Sequence, residues 1–227
     1  MLRPKKHITR QKLKEDKFVT ETMKVVNWLK SNQKVLTYGL IGAAVVIVIL
    51  WGSLSAREAA EREASILTLQ AGYALESNNL DQARILLLEA VENFGTVPSA
   101  GRATFMLGHV LFRLGQIDSA RVFYDRYLNR FAKGRFFKAA ATAGLAACLE
   151  QTGDWTEAAE QYTEAARLLG EHISAADYLL QAGRCWTLAG RTEQAITVYE
   201  QLTTRFPDSG QADRAAILRA EITANGP

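Results

Sequence analysis

The chain changes its hydrophobic pattern twice. Between residues 11 and 34 there is no Pro or Gly, and Phe18, Val19, Met23, Val26 and Leu29 recur at helical spacing among lysines. That pattern predicts a basic amphipathic helix. Residues 35–56 then carry no charge, and their core reads VLTYGLIGAAVVIVILWGSL. A helix of 20 such residues spans about 30 Å, the thickness of a bilayer's hydrocarbon core. Eleven of the 20 are Leu, Ile or Val. Each favours insertion by about 0.3–0.6 kcal/mol, a gross sum of roughly 3–7 kcal/mol that Gly39, Gly42, Gly52, Thr37 and Ser53 oppose. A buried core helix of this length normally keeps one polar face. Residues 35–56 therefore predict a transmembrane helix, with Tyr38 and Trp51 near its two interfaces. Gly39 and Ala43 form a small-xxx-small pair able to pack a neighbouring span.

From residue 57 onward the pattern becomes amphipathic, alanine-rich and periodic. Four phrases align: NNLDQA (78–83), GQIDSA (115–120), GDWTEA (153–158) and GRTEQA (190–195). Twelve residues before their closing alanines stand Ala71, Gly108, Ala146 and Gly183, and four after them stand Leu87, Tyr124, Tyr162 and Tyr199. The small residue allows two antiparallel helices to approach closely, and the large one is expected to seal the hairpin from its far side. Asn or Gly at 78, 115, 153 and 190 suits a helix stop in left-handed backbone. Asp81, Asp118 and Thr156 are expected to cap the second helices. A capping box is expected at Ser174 with Asp177, another at Ser55 with Glu58, and a terminal helix over residues 209–223. The fold class is thus all-α: one membrane helix, then a solenoid of about four helix-turn-helix units and a capping helix. Such units cannot bury their apolar faces alone and must stack.

Charge orients the span. Residues 1–34 hold ten basic and three acidic residues, a net +7, whereas the rest of the chain is −4. The positive-inside rule places residues 1–34 in the cytoplasm as a basic arm and residues 57–227 across the membrane. The arm either rests on anionic headgroups or only sets this topology. A cleavable signal sequence competes with an uncleaved anchor, but a 34-residue lead and a long apolar run favour the anchor. The basicity belongs to the arm, so it does not argue for nucleic-acid binding.

Candidate chemistry is sparse. His7, His109 and His172 are far apart in sequence, and no metal, phosphate-loop or nucleophile motif is present. No catalytic residue, cofactor or metal site is expected, and the chain is read as non-enzymatic. Cys148 and Cys185 occupy equivalent positions in adjacent repeats. Stacked helices stand about 8–10 Å apart and a disulfide needs Cα atoms within about 7 Å. Two buried thiols are expected, with a disulfide as the alternative in an oxidising compartment.

Residues 63–207 resemble the tetratricopeptide repeat family, the last unit reading LLQAGRCWTLAGRTEQAITVYEQLTTRFP. The resemblance departs from the family pattern in three ways. Leu67, Thr104, Thr142 and Leu179 replace the first-helix Trp, the spacing is 37–38 residues, and the closing Pro occurs only at Pro207. The resemblance implies a concave binding face built from the first helices. In repeat two that face takes Arg102, Phe105, His109, Phe112 and Arg113. Repeat three offers Ala140, Ala143, Ala147, Glu150 and Gln151, and repeat four offers Asp177, Leu180, Arg184, Thr187 and Leu188. The whole architecture also resembles the YfgM-type ancillary subunits of the bacterial SecYEG translocon. This second resemblance implies a single-pass inner-membrane protein with a periplasmic repeat domain, whose protein partners are the translocon and periplasmic chaperones. A structural scaffold acting by self-association in envelope assembly or cell division is the alternative.

Overall fold

In a computed structural model the structure describes residues 10–225, and every regular element among them is an α-helix. Residues 1–9, with His7 among them, lie outside the described residues. The chain forms two compact units, residues 1–56 and 57–227.

In the first unit α1 covers Arg10–Ser31. It stops at Asn32, whose side-chain amide donates to the Trp28 carbonyl at 2.9 Å. Helix α2 begins one residue later and runs from Gln33 to Glu76 without a break. Between Val35 and Leu54, twelve large apolar side chains of α2 are exposed. By length and composition, α2 is able to cross a membrane. The capping box expected at Ser55 does not form, because residues 51–61 lie inside α2 and their amide groups already bond within the helix.

The second unit contains the rest of α2 followed by eight helices: α3 (Leu80–Phe94), α4 (Pro98–Arg113), α5 (Ile117–Arg130), α6 (Arg135–Thr152), α7 (Trp155–Leu169), α8 (Ala175–Leu188), α9 (Thr192–Arg205) and α10 (Gly210–Asn225). Consecutive helices pair as four hairpins, α2 with α3 through α8 with α9, each packed on the next. The end of the stack is closed by α10, which buries Ala212 and Ala215 and lays Leu218 and Ile222 on the last core. This is the all-helical solenoid expected from the sequence.

The hairpin turns are made as the repeat phrases require. Asn78, Gly115, Gly153 and Gly190 have φ of 56°, 72°, 84° and 70°. The caps differ from expectation. The second helices start two residues early, capped at Asn79, Gln116 and Asp154, so Asp81, Asp118 and Thr156 already lie inside the first turn. The Asn79 side chain accepts from the Gln82 amide at 3.1 Å. Ser174 does not cap α8 either. Its backbone is already helical, and the Ala175 and Ala176 amides bond back to His172 and Ile173. Asp177 instead accepts from the Gln211 side chain of α10 at 2.6 Å.

In repeats two and four the large residue packs onto the small residue of its own hairpin, not as the expected far-side seal. Tyr124 lies directly on Gly108: an added Cβ there would stand 3.0 Å from the ring. Tyr199 lies on Gly183 even more tightly. These contacts sit in two main cores. One joins repeats one and two and takes in Cys148; the other joins repeats three and four and takes in Cys185. Both cysteines are buried free thiols. Native protein should therefore show no reaction with a thiol reagent at pH 8, and two reactive thiols in denaturant. One fast thiol in the native state would contradict the packing.

Burial pushes the Cys148 thiol up to about 11 and the Cys185 thiol up to about 12. It raises the Tyr124 and Tyr162 phenols as well. All four groups favour their neutral forms in the fold. Their contribution is complete below the ordinary thiol value of 9.0 and is lost as pH climbs through 11 and 12. The melting temperature should hold level to about pH 8.5 and fall beyond about pH 9. A flat profile to about pH 11 would count against this burial.

Candidate functional site

Helices α4, α6 and α8 are the first helices of successive hairpins, and together they wall a groove of about 680 Å3. Its floor is small because α6 is small: Ala140, Ala143, Gly144 and Ala147 all line it. One side carries Phe105, His109 and Phe112 from α4, and the other carries Asp177, Gln181 and Arg184 from α8.

Two second-helix tyrosines reach into this groove between the first helices. Tyr124 of α5 passes over Gly108 and meets Gly144, where a Cβ would overlap the phenol ring. Only a residue without a side chain fits at 144, and that gap admits the ring to the groove. Tyr162 of α7 donates from its hydroxyl to Glu150 Oε2 at 3.1 Å. Glu150 Oε1 stands 3.7 Å from Arg184, whose guanidinium also donates to Gln181. The Tyr162 phenol is raised first by burial and then by the Glu150 charge, so it stays a donor at neutral pH. The Glu150–Arg184 pair is partly solvated and adds little stability. Its effect is to hold opposite charges at fixed places in the groove centre.

The aromatic wall is interlocked. Phe105 packs edge-on to Tyr124 at 6.1 Å and to Phe137 at 6.0 Å, and lies tilted on Tyr127 at 5.5 Å. Phe105 thus serves the core and the joint after α5 as well as the groove. Desolvation, helped by the Arg113 charge, lowers the His109 pKa and favours a neutral ring.

Ten of the fifteen first-helix residues named from the sequence meet here: Phe105, His109, Phe112, Ala140, Ala143, Ala147, Glu150, Gln151, Asp177 and Arg184. The other five lie elsewhere. The Thr187 hydroxyl donates to the Gly183 carbonyl at 2.9 Å, and Leu188 is exposed outside the groove. Arg113 is drawn to the first hairpin turn, donating to Asn78 Oδ1 at 2.6 Å. Leu180 is 6% exposed and packs in the core towards α10. Arg102 faces a second pocket on the joint side of α4. Tyr124, Tyr162, Tyr178 and Gln181 line the groove without having been expected there. For Tyr124 the signal was Gly144, a second gap two residues before the small position of repeat three. What the groove offers is aromatic surface, hydrogen bonds and paired charges, the means of holding a polypeptide.

Tetratricopeptide repeat profiles match residues 68–136 and 138–208, together 140 of the 227 residues. No curated protein matches the chain. Among solved structures, the chain is similar to a tetratricopeptide repeat protein from Parabacteroides merdae ATCC 43184, with 16% identity and a TM-score of 0.60. That match covers 72% of this chain and 61% of the Parabacteroides chain, so this protein spans less than two thirds of its relative. Pseudomonas aeruginosa pilF is similar with 22% identity and a TM-score of 0.53, over 70% of this chain and 67% of that one. Repeats of a putative kinesin light chain from Podosopora anserina give 16% and 0.58, over 70% and 85%. At these identities the likeness is one of fold. With left-handed turns at 78, 115, 153 and 190, four stacked hairpins and a first-helix groove, this chain belongs to the tetratricopeptide repeat proteins, a family of protein-interaction modules.

Proposed function

We propose that this protein is a non-enzymatic adaptor tethered to the bacterial inner membrane by residues 35–56. Its repeats hold a polypeptide segment of a protein partner on the periplasmic side. The observation that carries the reading is the groove, where an alanine floor leaves room for a main chain between an aromatic wall and the Glu150–Arg184 pair. The +7 charge of residues 1–34 supports the orientation, with the N-terminus in the cytoplasm. An interaction domain next to a membrane segment suits a partner at the export machinery, and the SecYEG translocon and periplasmic chaperones are the partners proposed.

Photo-crosslinking in intact cells tests this, with a photoreactive residue at His109 or Phe112 and a control at Asp213 on α10. Adducts with translocon subunits, chaperones or exported proteins should appear at the groove positions and not at the control. Equal capture at all three sites, or none, removes the reading. Arg184→Glu should weaken capture about tenfold or more, as expected for an arginine in an interface centre, with little change in melting temperature. Protease added to spheroplasts should degrade residues 57–227; their protection would reverse the topology. A stable oligomer in sedimentation, with no captured partner, would favour the self-associating scaffold.

A further inference from the structure

The second pocket lies apart from the groove, on the joint side of α4, and encloses about 380 Å3. Its walls are apolar and aromatic, with Val97, Pro98, Phe105, Tyr127, Phe131 and Phe137. Four cations line it, Arg57, Arg102, Arg130 and Lys133, and no carboxylate does. Glu61, one turn after Arg57, is occupied elsewhere: its two oxygens accept from the Ser99 hydroxyl at 2.6 Å and amide at 3.1 Å. Four cations without a carboxylate, sharing one pocket with aromatic walls, call for a ligand that is anionic at one end and apolar at the other.

Two further observations narrow the occupant. The adjoining joint, RFAKGRFFK (130–138), has four cations, three phenylalanines and no acid. Phe136 and Phe137 are 48% and 54% exposed, and Arg135 lies over the Phe136 ring at 5.1 Å. Exposed aromatics among basic residues are the composition of segments that settle at a lipid headgroup layer. In addition, Arg57 is the residue that follows the uncharged stretch 35–56. A soluble acidic peptide would use the cations but would leave this adjacency unaccounted for.

We propose that this pocket binds the headgroup region of an anionic phospholipid, with the phosphate among Arg57, Arg102, Arg130 and Lys133 and the upper acyl segment against Phe105, Phe131 and Phe137. The proposal rests on the membrane reading above. It gives the repeat domain a lipid contact of its own, separate from the apolar span.

Full-length protein in liposomes tests it, with photoreactive phosphatidylglycerol or photoreactive phosphatidylcholine, each bearing its diazirine near the headgroup. Adducts are mapped by peptide. Adducts in residues 96–137 should form with phosphatidylglycerol and fall about tenfold in Arg102→Gln/Lys133→Gln, which removes two exposed charges. Adducts in residues 35–56 should form with both lipids and be unchanged in the variant. Unchanged far-UV circular dichroism melting of the variant separates loss of binding from loss of fold. Labelled span peptides without labelled 96–137 peptides, or labelling indifferent to headgroup charge, overturn the lipid site alone. Unlabelled span peptides overturn the membrane reading and the lipid site with it. Loss of the 96–137 adducts on adding a short peptide with a free carboxylate would assign the pocket to a peptide terminus and likewise overturn the proposal.

Discussion

Gly183→Ala should lower the melting temperature of the protein by several degrees, and Gly183→Val should unfold its last hairpin. A Cβ at 183 would overlap the Tyr199 ring, with two more ring atoms only 2.7 Å away. Tyr199 is 1% exposed and walled by the core of repeats three and four, so the ring has nowhere to move. Overpacking of this kind costs about 1–3 kcal/mol for one methyl. In a domain of this size each kcal/mol is worth about 2–4 °C. Valine adds two further methyl groups in the same place, against a ring that already has no room. Thermal melts followed by circular dichroism measure both variants. Two comparisons make the cause visible. Tyr199→Leu should offset part of the Gly183→Ala loss, giving a coupling energy in a double-mutant cycle. Gly72→Ala, where nothing lies within 4 Å of the new Cβ in the interior of α2, should stabilise by about 0.5–1 kcal/mol. If Gly183→Ala melts like the parent protein, the close packing of the ring on the helix is wrong.

The second large effect concerns the span. Val46→Arg/Val48→Arg places two guanidinium groups near the middle of residues 35–56. Each arginine at a helix centre costs about 2.5–3.5 kcal/mol in insertion, and each lost valine removes a few tenths more. The total, about 6–8 kcal/mol, matches or exceeds the gross favourable sum of roughly 3–7 kcal/mol for the apolar residues. The variant should leave the membrane fraction, and the parent protein should resist carbonate extraction and float with liposomes. Parent protein found in the soluble fraction would end the membrane reading. No effect of the double substitution would show that residues 35–56 do not hold the chain there.

The repeats were legible because their punctuation is chemical. Asn78, Gly115, Gly153 and Gly190 stand where the backbone must turn left-handed, and few residue types do that cheaply. The helix starts were less legible. Asp81 and Asp118 suit both an N-cap and the first helical turn, where a carboxylate also meets free amides, and the spacing alone does not distinguish the two. The run of α2 through Ser55 was misread for a similar reason: a capping-box pattern inside a strong helix is only a pattern. The first-helix positions carried over from the repeat family bring ten of their fifteen side chains together in one groove. They missed Tyr124 and Tyr162, which are second-helix residues; Tyr124 reaches the groove over the gaps left by Gly108 and Gly144, a placement visible only in three dimensions. Arg113 was drawn away by Asn78, a partner 35 residues distant in the chain.

The two unbridged cysteines carry a consequence for how the solenoid comes apart. Cys148 belongs to the core of repeats one and two and Cys185 to that of repeats three and four, and no covalent link ties the two. In a linear stack, local opening need not be global opening, and each segment has its own free energy of exposure. Cys148 stands on α6 of repeat three but packs into the core of repeats one and two. It is therefore a natural clock for the parting of repeats two and three, whereas Cys185 is one for the opening of repeats three and four. Labelling rates at the two positions, read under native conditions, report whether the array frays from one end or opens as a single cooperative body.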